Sequence, residues 1–167
     1  MANEIYDSTW WGNTIQTASS IGTSTEMIQG QFNLTKLGDE LITNGGFATD
    51  SNWVKQAAWS INGGTANCDG TSGSIYQNSV VEIGKSYLCE FEITSITSGS
   101  VAINAGGNTT GTPRTSIGTY SEILYVVGGS NDRTYIISQS FQGSIDNVSV
   151  KEVRAEEVEA VKCLADA

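Results

Sequence analysis

The sequence predicts an all-β protein: an antiparallel β-sandwich of the jelly-roll kind, with an extended N-terminal segment and a short C-terminal helix. Three observations predict it. The chain has 19 glycines and abundant serine and threonine, and its apolar residues fall in short Val/Ile/Tyr-rich runs. Turn chemistry interrupts those runs at intervals of about ten residues, and no helical period fills the gaps. At 167 residues the chain holds one ordinary domain with a core, plus attached segments.

Residues 1–38 read as an anchoring segment. Tyr6, Trp10 and Trp11 form a tight aromatic cluster among polar Gly/Ser/Thr stretches, and residues 26–37 fit a short helix or strand that Gly30 and Asn33 interrupt. Such a segment has no core of its own, so its rings need a surface to bury against. The sandwich is expected over 39–153. A strand at 41–43 ends at Asn44-Gly45-Gly46, a run at 53–61 ends at the hairpin signal Asn62-Gly63-Gly64, and strands follow at 65–68 and 74–83. Tyr87, Cys89, Phe91 and Ile93 then alternate with Leu88, Glu90, Glu92 and Thr94, giving one buried and one wet face. Further strands are expected at 101–105, 119–127, 134–140 and 144–153. In the tail, 154–167, Ala155, Val158, Val161 and Leu164 recur every three residues, which predicts a short amphipathic helix.

Composition narrows the function. Eight basic against eighteen acidic residues give a net charge of −10, spread over all three segments; such a surface repels nucleic acid and favours solubility. No apolar run reaches membrane-helix length, and residues 1–13 lack the form of a secretory signal, so synthesis in a cytoplasm is expected, with the cysteines as thiols. Cys68 and Cys89 fall in strands and are expected to be buried. The chain has no histidine, which removes every imidazole-dependent triad, and no Cys-x-x-Cys pair. Glu90 and Glu92 share a strand face but read as a solvated outer face in place of a glycosidase pair. A non-enzymatic protein without a cofactor is expected.

Two resemblances sharpen this reading. Leu41-Ile42-Thr43-Asn44-Gly45-Gly46-Phe47, with Trp53, Trp59-Ser60-Ile61-Asn62-Gly63-Gly64 and the closing Ile145-Asp146-Asn147-Val148-Ser149-Val150, resembles the jelly-roll carbohydrate-binding modules of the family four, nine and twenty-two type, over residues 40–153. Physically, Asn44-Gly45-Gly46 supplies a positive-φ turn, Phe47 and Trp53 plug the core, and Ile145, Val148 and Val150 pack the last strand, although Val148 breaks strict alternation with Ile145. The resemblance implies a structural calcium between first and last strands. Asp146 supplies one ligand, but Ala48 stands where the family has the other carboxylate. It also implies glycan binding by aromatic rings with amides or arginine beside them, for which Trp59, Tyr76, Gln77, Arg114, Tyr125 and Tyr135 are the candidates.

The opening Met1-Ala2-Asn3-Glu4-Ile5-Tyr6-Asp7-Ser8-Thr9-Trp10-Trp11-Gly12-Asn13 resembles small tailed-bacteriophage proteins. It implies a virion structural protein at the virion surface: a capsid decoration (cement) or head-fibre component anchored through Tyr6, Trp10 and Trp11 to capsid or other virion proteins. A homo-oligomer, with a trimer as the natural guess, and weak adhesion to cell-surface glycans go with that reading. The alternatives are a tail-fibre or receptor-binding component and a free carbohydrate-binding protein.

Overall fold

A computed structural model describes residues 32–128 and 131–158, of which Asn33–Val158 form one compact unit. Among the described residues every regular element is a strand: β1 (Phe32–Glu40), β2 (Val54–Lys55), β3 (Trp59–Asn62), β4 (Thr65–Asp69), β5 (Gly73–Gln77), β6 (Ser86–Ala105), β7 (Thr109–Thr110), β8 (Gly118–Tyr125) and β9 (Thr134–Val158). No helix there is long and apolar enough to cross a membrane.

The spine is the antiparallel pair β6–β9, which runs from Ser86↔Val153 to Ala105↔Thr134. Every other named strand except β2 and β3 pairs with β6 or β9, and those two attach to β5 and β4. At one end β8 adds to β6 and β1 adds to β9; at the other, β7 adds to β6, and β5 with β2 to β9. β4 and β3 join the middle of β9 at residues 142–145. The result is one antiparallel sheet curled nearly into a barrel.

The curl has a local cause. Four register shifts lie between Glu90 and Ser100 on β6. Gly99 (φ 74°), Ser140 (φ 53°) and Asn147 (φ 51°) adopt left-handed backbone, which bulges and bends a strand where a turn would end it. Runs expected as separate strands, 87–94 with 101–105 and 134–140 with 144–153, are therefore continuous. Both halves of the bent spine serve one core: Tyr87, Cys89, Phe91 and Ile93 from the first half of β6, Val101, Ile103 and Ala105 from the second, and Ile136, Phe141, Ile145, Val148 and Val150 from β9. The left-handed Asn147 also explains why Val148 and Ile145 both face inward three residues apart.

Other expectations are corrected. Residues 41–43 are not a strand. The preceding stretch is: β1 runs across the 38/39 boundary and pairs with β9, because Leu41 N reaches Val150 O (2.9 Å) and draws the chain onto the sheet edge. Residues 154–158 continue β9 in place of starting a helix; pairing with β1 overrides the local three-residue period there. Residues 26–31 and 159–167 lie outside the described residues. The 53–61 run is two strands, broken at 56–58 where Trp59 N bonds Gln56 O.

The turn at 44–47 is positive-φ, but at Asn44 (56°) and Phe47 (49°) and not at its glycines. Gly45 is needed for a different reason: a Cβ there would overlap the Val148 carbonyl oxygen, where Val148 N in turn bonds Gly45 O at 3.0 Å. Phe47 and Trp53 are both buried, with ring centroids 5.1 Å apart. The Asn62-Gly63-Gly64-Thr65 hairpin forms as read, with both glycines left-handed.

Cys68 and Cys89 are buried free thiols, as expected. Burial pushes the Cys89 thiol up to about 12 from an ordinary 9.0. The folded chain thus keeps the neutral thiol while the unfolded chain ionises. Stability linked to Cys89 is complete below about pH 9 and is lost, on the order of 1 kcal/mol per pH unit, as pH rises towards 12. Denaturant midpoints measured from pH 8 to 11 are expected to fall, and to fall less steeply in Cys89→Ala.

Candidate binding cleft

The second half of the spine presents an outer face with an open cleft of about 510 Å³. Register builds it. Tyr135 on β9 stands opposite Tyr76 on β5 and Asn104 on β6; Asn104 stands opposite Thr110, and Tyr76 opposite Val54. One row of side chains therefore crosses five strands, Thr110–Asn104–Tyr135–Tyr76–Val54, and the next row is Ala102–Ile137–Ser74. Gln56, Ser74, Asn104, Asn131, Tyr135 and Ile137 line the cleft.

Each polar group has a stated support. Asn104 is buried and holds the 105–108 turn, accepting from Gly107 N (3.0 Å) and donating to Thr110 Oγ1 (2.7 Å). Gln56 accepts from Ser74 N through Oε1 (2.7 Å), so the donor half of its amide is what it can offer a ligand. The 131–133 segment is pinned from both sides: Asp132 O accepts from Val80 N and Val81 N, and Arg133 O accepts from Gly106 N. Arg133 then lies with its guanidinium carbon 4.9 Å from the Tyr76 ring centre and Nη1 3.4 Å from the Tyr135 hydroxyl. The two tyrosine rings are 5.1 Å apart and tilted by 41°. Hydrogen bonding to Tyr135 holds the Arg133 pKa above its usual value.

Of the six glycan candidates, then, Tyr135 lines the cleft and Tyr76 packs against its ring. The others do not join them. Trp59 is buried against Phe141, with ring centroids 6.2 Å apart, so neither face is open to a sugar. Gln77 is buried too: its amide donates to Thr43 O (2.6 Å) and accepts from Thr43 N (3.2 Å), tying the 41–43 segment to β5. Gln77→Ala leaves both backbone groups unpaired and is expected to cost about 1–3 kcal/mol in a urea titration. Arg114 lies 4.8 Å over the Tyr120 ring and 3.8 Å from Glu122. Tyr125 is exposed on the outer face of the other half of the spine, beside Ile123. Tyr6, Trp10 and Trp11 lie outside the described residues.

The expected calcium ligands do not assemble. Asp146 Oδ1 accepts from Asn147 N (2.7 Å), Ala48 offers no carboxylate, and among the described residues no three metal-ligating side chains of Asp, Glu, Cys or His converge. The nearby Glu92 carboxylate is bonded by the Asn147 amide (2.8 Å). That donor set does not fit the hard, oxygen-rich shell calcium requires.

Arg133, Asn104, Gln56 and Asn131 were not among the sequence candidates. Arg133, Tyr135 and Ile137 do recur at alternate positions, and that spacing was the available signal. No known family model matches the chain, and no curated protein matches it.

Proposed function

We propose that this chain is a non-enzymatic bacteriophage virion structural protein, a capsid decoration or head-fibre component. The segment before β1, residues 1–31, attaches it to the shell or to sister copies, and a jelly-roll-type domain displays a weakly glycan-adhesive cleft. The observation that carries the binding half is Tyr135, which lines the open cleft with the amides of Gln56, Asn104 and Asn131 and has the Tyr76 ring and the Arg133 guanidinium packed against it. Sugars are held by this combination of apolar ring faces and oriented donors. No lining residue of the cleft is acidic in a chain with eighteen acidic side chains. The jelly-roll assignment is supported by the 44–47 turn seated on the 146–148 kink, which joins the two motifs that carry the family resemblance.

The virion half rests on the leader, whose clustered Tyr6, Trp10 and Trp11 call for a partner surface. Multivalent display turns a weak site into useful adhesion. The test is a glycan array probed with the full-length chain coupled multivalently to a carrier. Binding by the wild type is expected, with loss in Tyr135→Ala; no binding to any glycan by the multivalent wild type would reduce the domain to a structural role.

A further inference from the structure

The cleft differs in charge from the rest of the molecule. The chain carries −10 overall, yet none of the residues lining the cleft is a carboxylate, and the lining Tyr135 has a cation, Arg133, on its hydroxyl. Most charged side chains elsewhere are matched: Lys55 with Asp50, Lys85 with Glu82 and Glu152, Arg114 with Glu122, Lys151 with Glu40, Arg154 with Glu152. Among the described residues, Arg133 makes no such ion pair. The adjacent carboxylate, Asp132, is engaged by Ser79, whose hydrogen bonds, with a smaller contribution from the nearby Arg133 charge, hold its pKa below the usual range.

The guanidinium is also held in place. One face lies on the Tyr76 ring and Nη1 points to the Tyr135 hydroxyl, while Arg133 N donates to Asn131 Oδ1 (3.1 Å). Ring contact and a single hydrogen bond leave the remaining N–H donors of the fork for a ligand. A planar, pre-oriented fork matches a carboxylate, and little side-chain freedom is left to lose on binding.

We infer that the cleft selects acidic glycans: sugars bearing a carboxylate, with that group on Arg133 and the neutral ring over Tyr135 among Gln56, Asn104 and Asn131. This rests on the glycan reading of the cleft and adds the class of sugar. The surrounding negative field slows the approach of a polyanion, so the contact depends on local pairing and not on long-range steering.

The test uses the full-length chain, coupled multivalently, against polygalacturonate and against the same polymer after its carboxylates have been reduced to alcohols. The acidic polymer is expected to bind at least about tenfold more tightly, the scale of one charge-assisted contact. Arg133→Gln should abolish that difference, and Arg133→Lys should keep part of it. The retained Tyr76–Tyr135 ring contact, read by near-UV circular dichroism, separates loss of the charge from loss of the fold. Equal binding of both polymers, or binding of the acidic one that Arg133→Gln leaves intact, overturns the inference while the glycan reading stands. Failure of every array glycan and both polymers to bind overturns both.

Discussion

Gly143→Ala is expected to destabilise the domain by about 3 kcal/mol or more, shifting the urea midpoint strongly. The residue sits where β9 crosses the bent middle of β6. A Cβ there would overlap the Ser95 carbonyl oxygen and approach Ile96 Cα and the Phe141 ring to 2.9 Å. Two of these neighbours are backbone in the spine itself, and the third is a fully buried core ring, so none can withdraw without moving the sheet. Gly99→Ala should behave similarly, since its Cβ would overlap the Ser140 carbonyl and its φ of 74° is left-handed as well. Gly84→Ala is the control: it is also left-handed (φ 83°) but has open space around it, so only the backbone term of about 1–2 kcal/mol remains. If Gly143→Ala cost no more than Gly84→Ala, the bent β6–β9 crossing would be wrong.

The second large effect is on binding. The double variant Tyr76→Ala, Tyr135→Ala should reduce glycan retention to background. Removing both rings takes away the apolar platform and unseats Arg133, which uses one ring as its floor and the other as its hydrogen-bond partner. The rings are half-buried on an outer face, so the stability lost with the aromatic pair is expected to be about 0.5–1.5 kcal/mol beyond lost area. Binding and folding should therefore separate. A variant that stays folded and still binds would place the glycan site elsewhere. Tyr125→Ala, on the outer face of the other half of the spine, should leave binding unchanged.

Much of this was legible in the residues. The alternation at 87–93 gave the inward face of β6, the Asn62-Gly63-Gly64 signal gave the β3–β4 hairpin, and Phe47 and Trp53 were readable as core rings. What misled was turn chemistry inside strands. Ser98-Gly99-Ser100, Ser140 and Asp146-Asn147 have the composition of loops, yet here they make bulges, because the partner strand pairs on both sides of each irregularity. That continuity comes from residues some fifty positions away and leaves no local trace.

The site divides in the same way. Tyr76 and Tyr135 were named from their chemistry, while Trp59 and Gln77, chosen on the same grounds, belong to the interior. The cleft depends on the register of β5, β6 and β9, which places Asn104, Tyr135 and Tyr76 in one row across sequence separations that no periodicity reports.

The central claim, that this is a displayed component of a phage particle, is most directly tested by quantitative mass spectrometry of purified particles carrying either the wild-type chain or one lacking residues 2–38. Because β1 belongs to the sheet, a second deletion that stops at residue 31 keeps the domain intact. The account predicts that the wild type is present in many symmetric copies per particle and that both deletions remove it while the shorter one still folds. Undiminished incorporation of the folded 32–167 chain, or absence of the wild type from the particle, would contradict it.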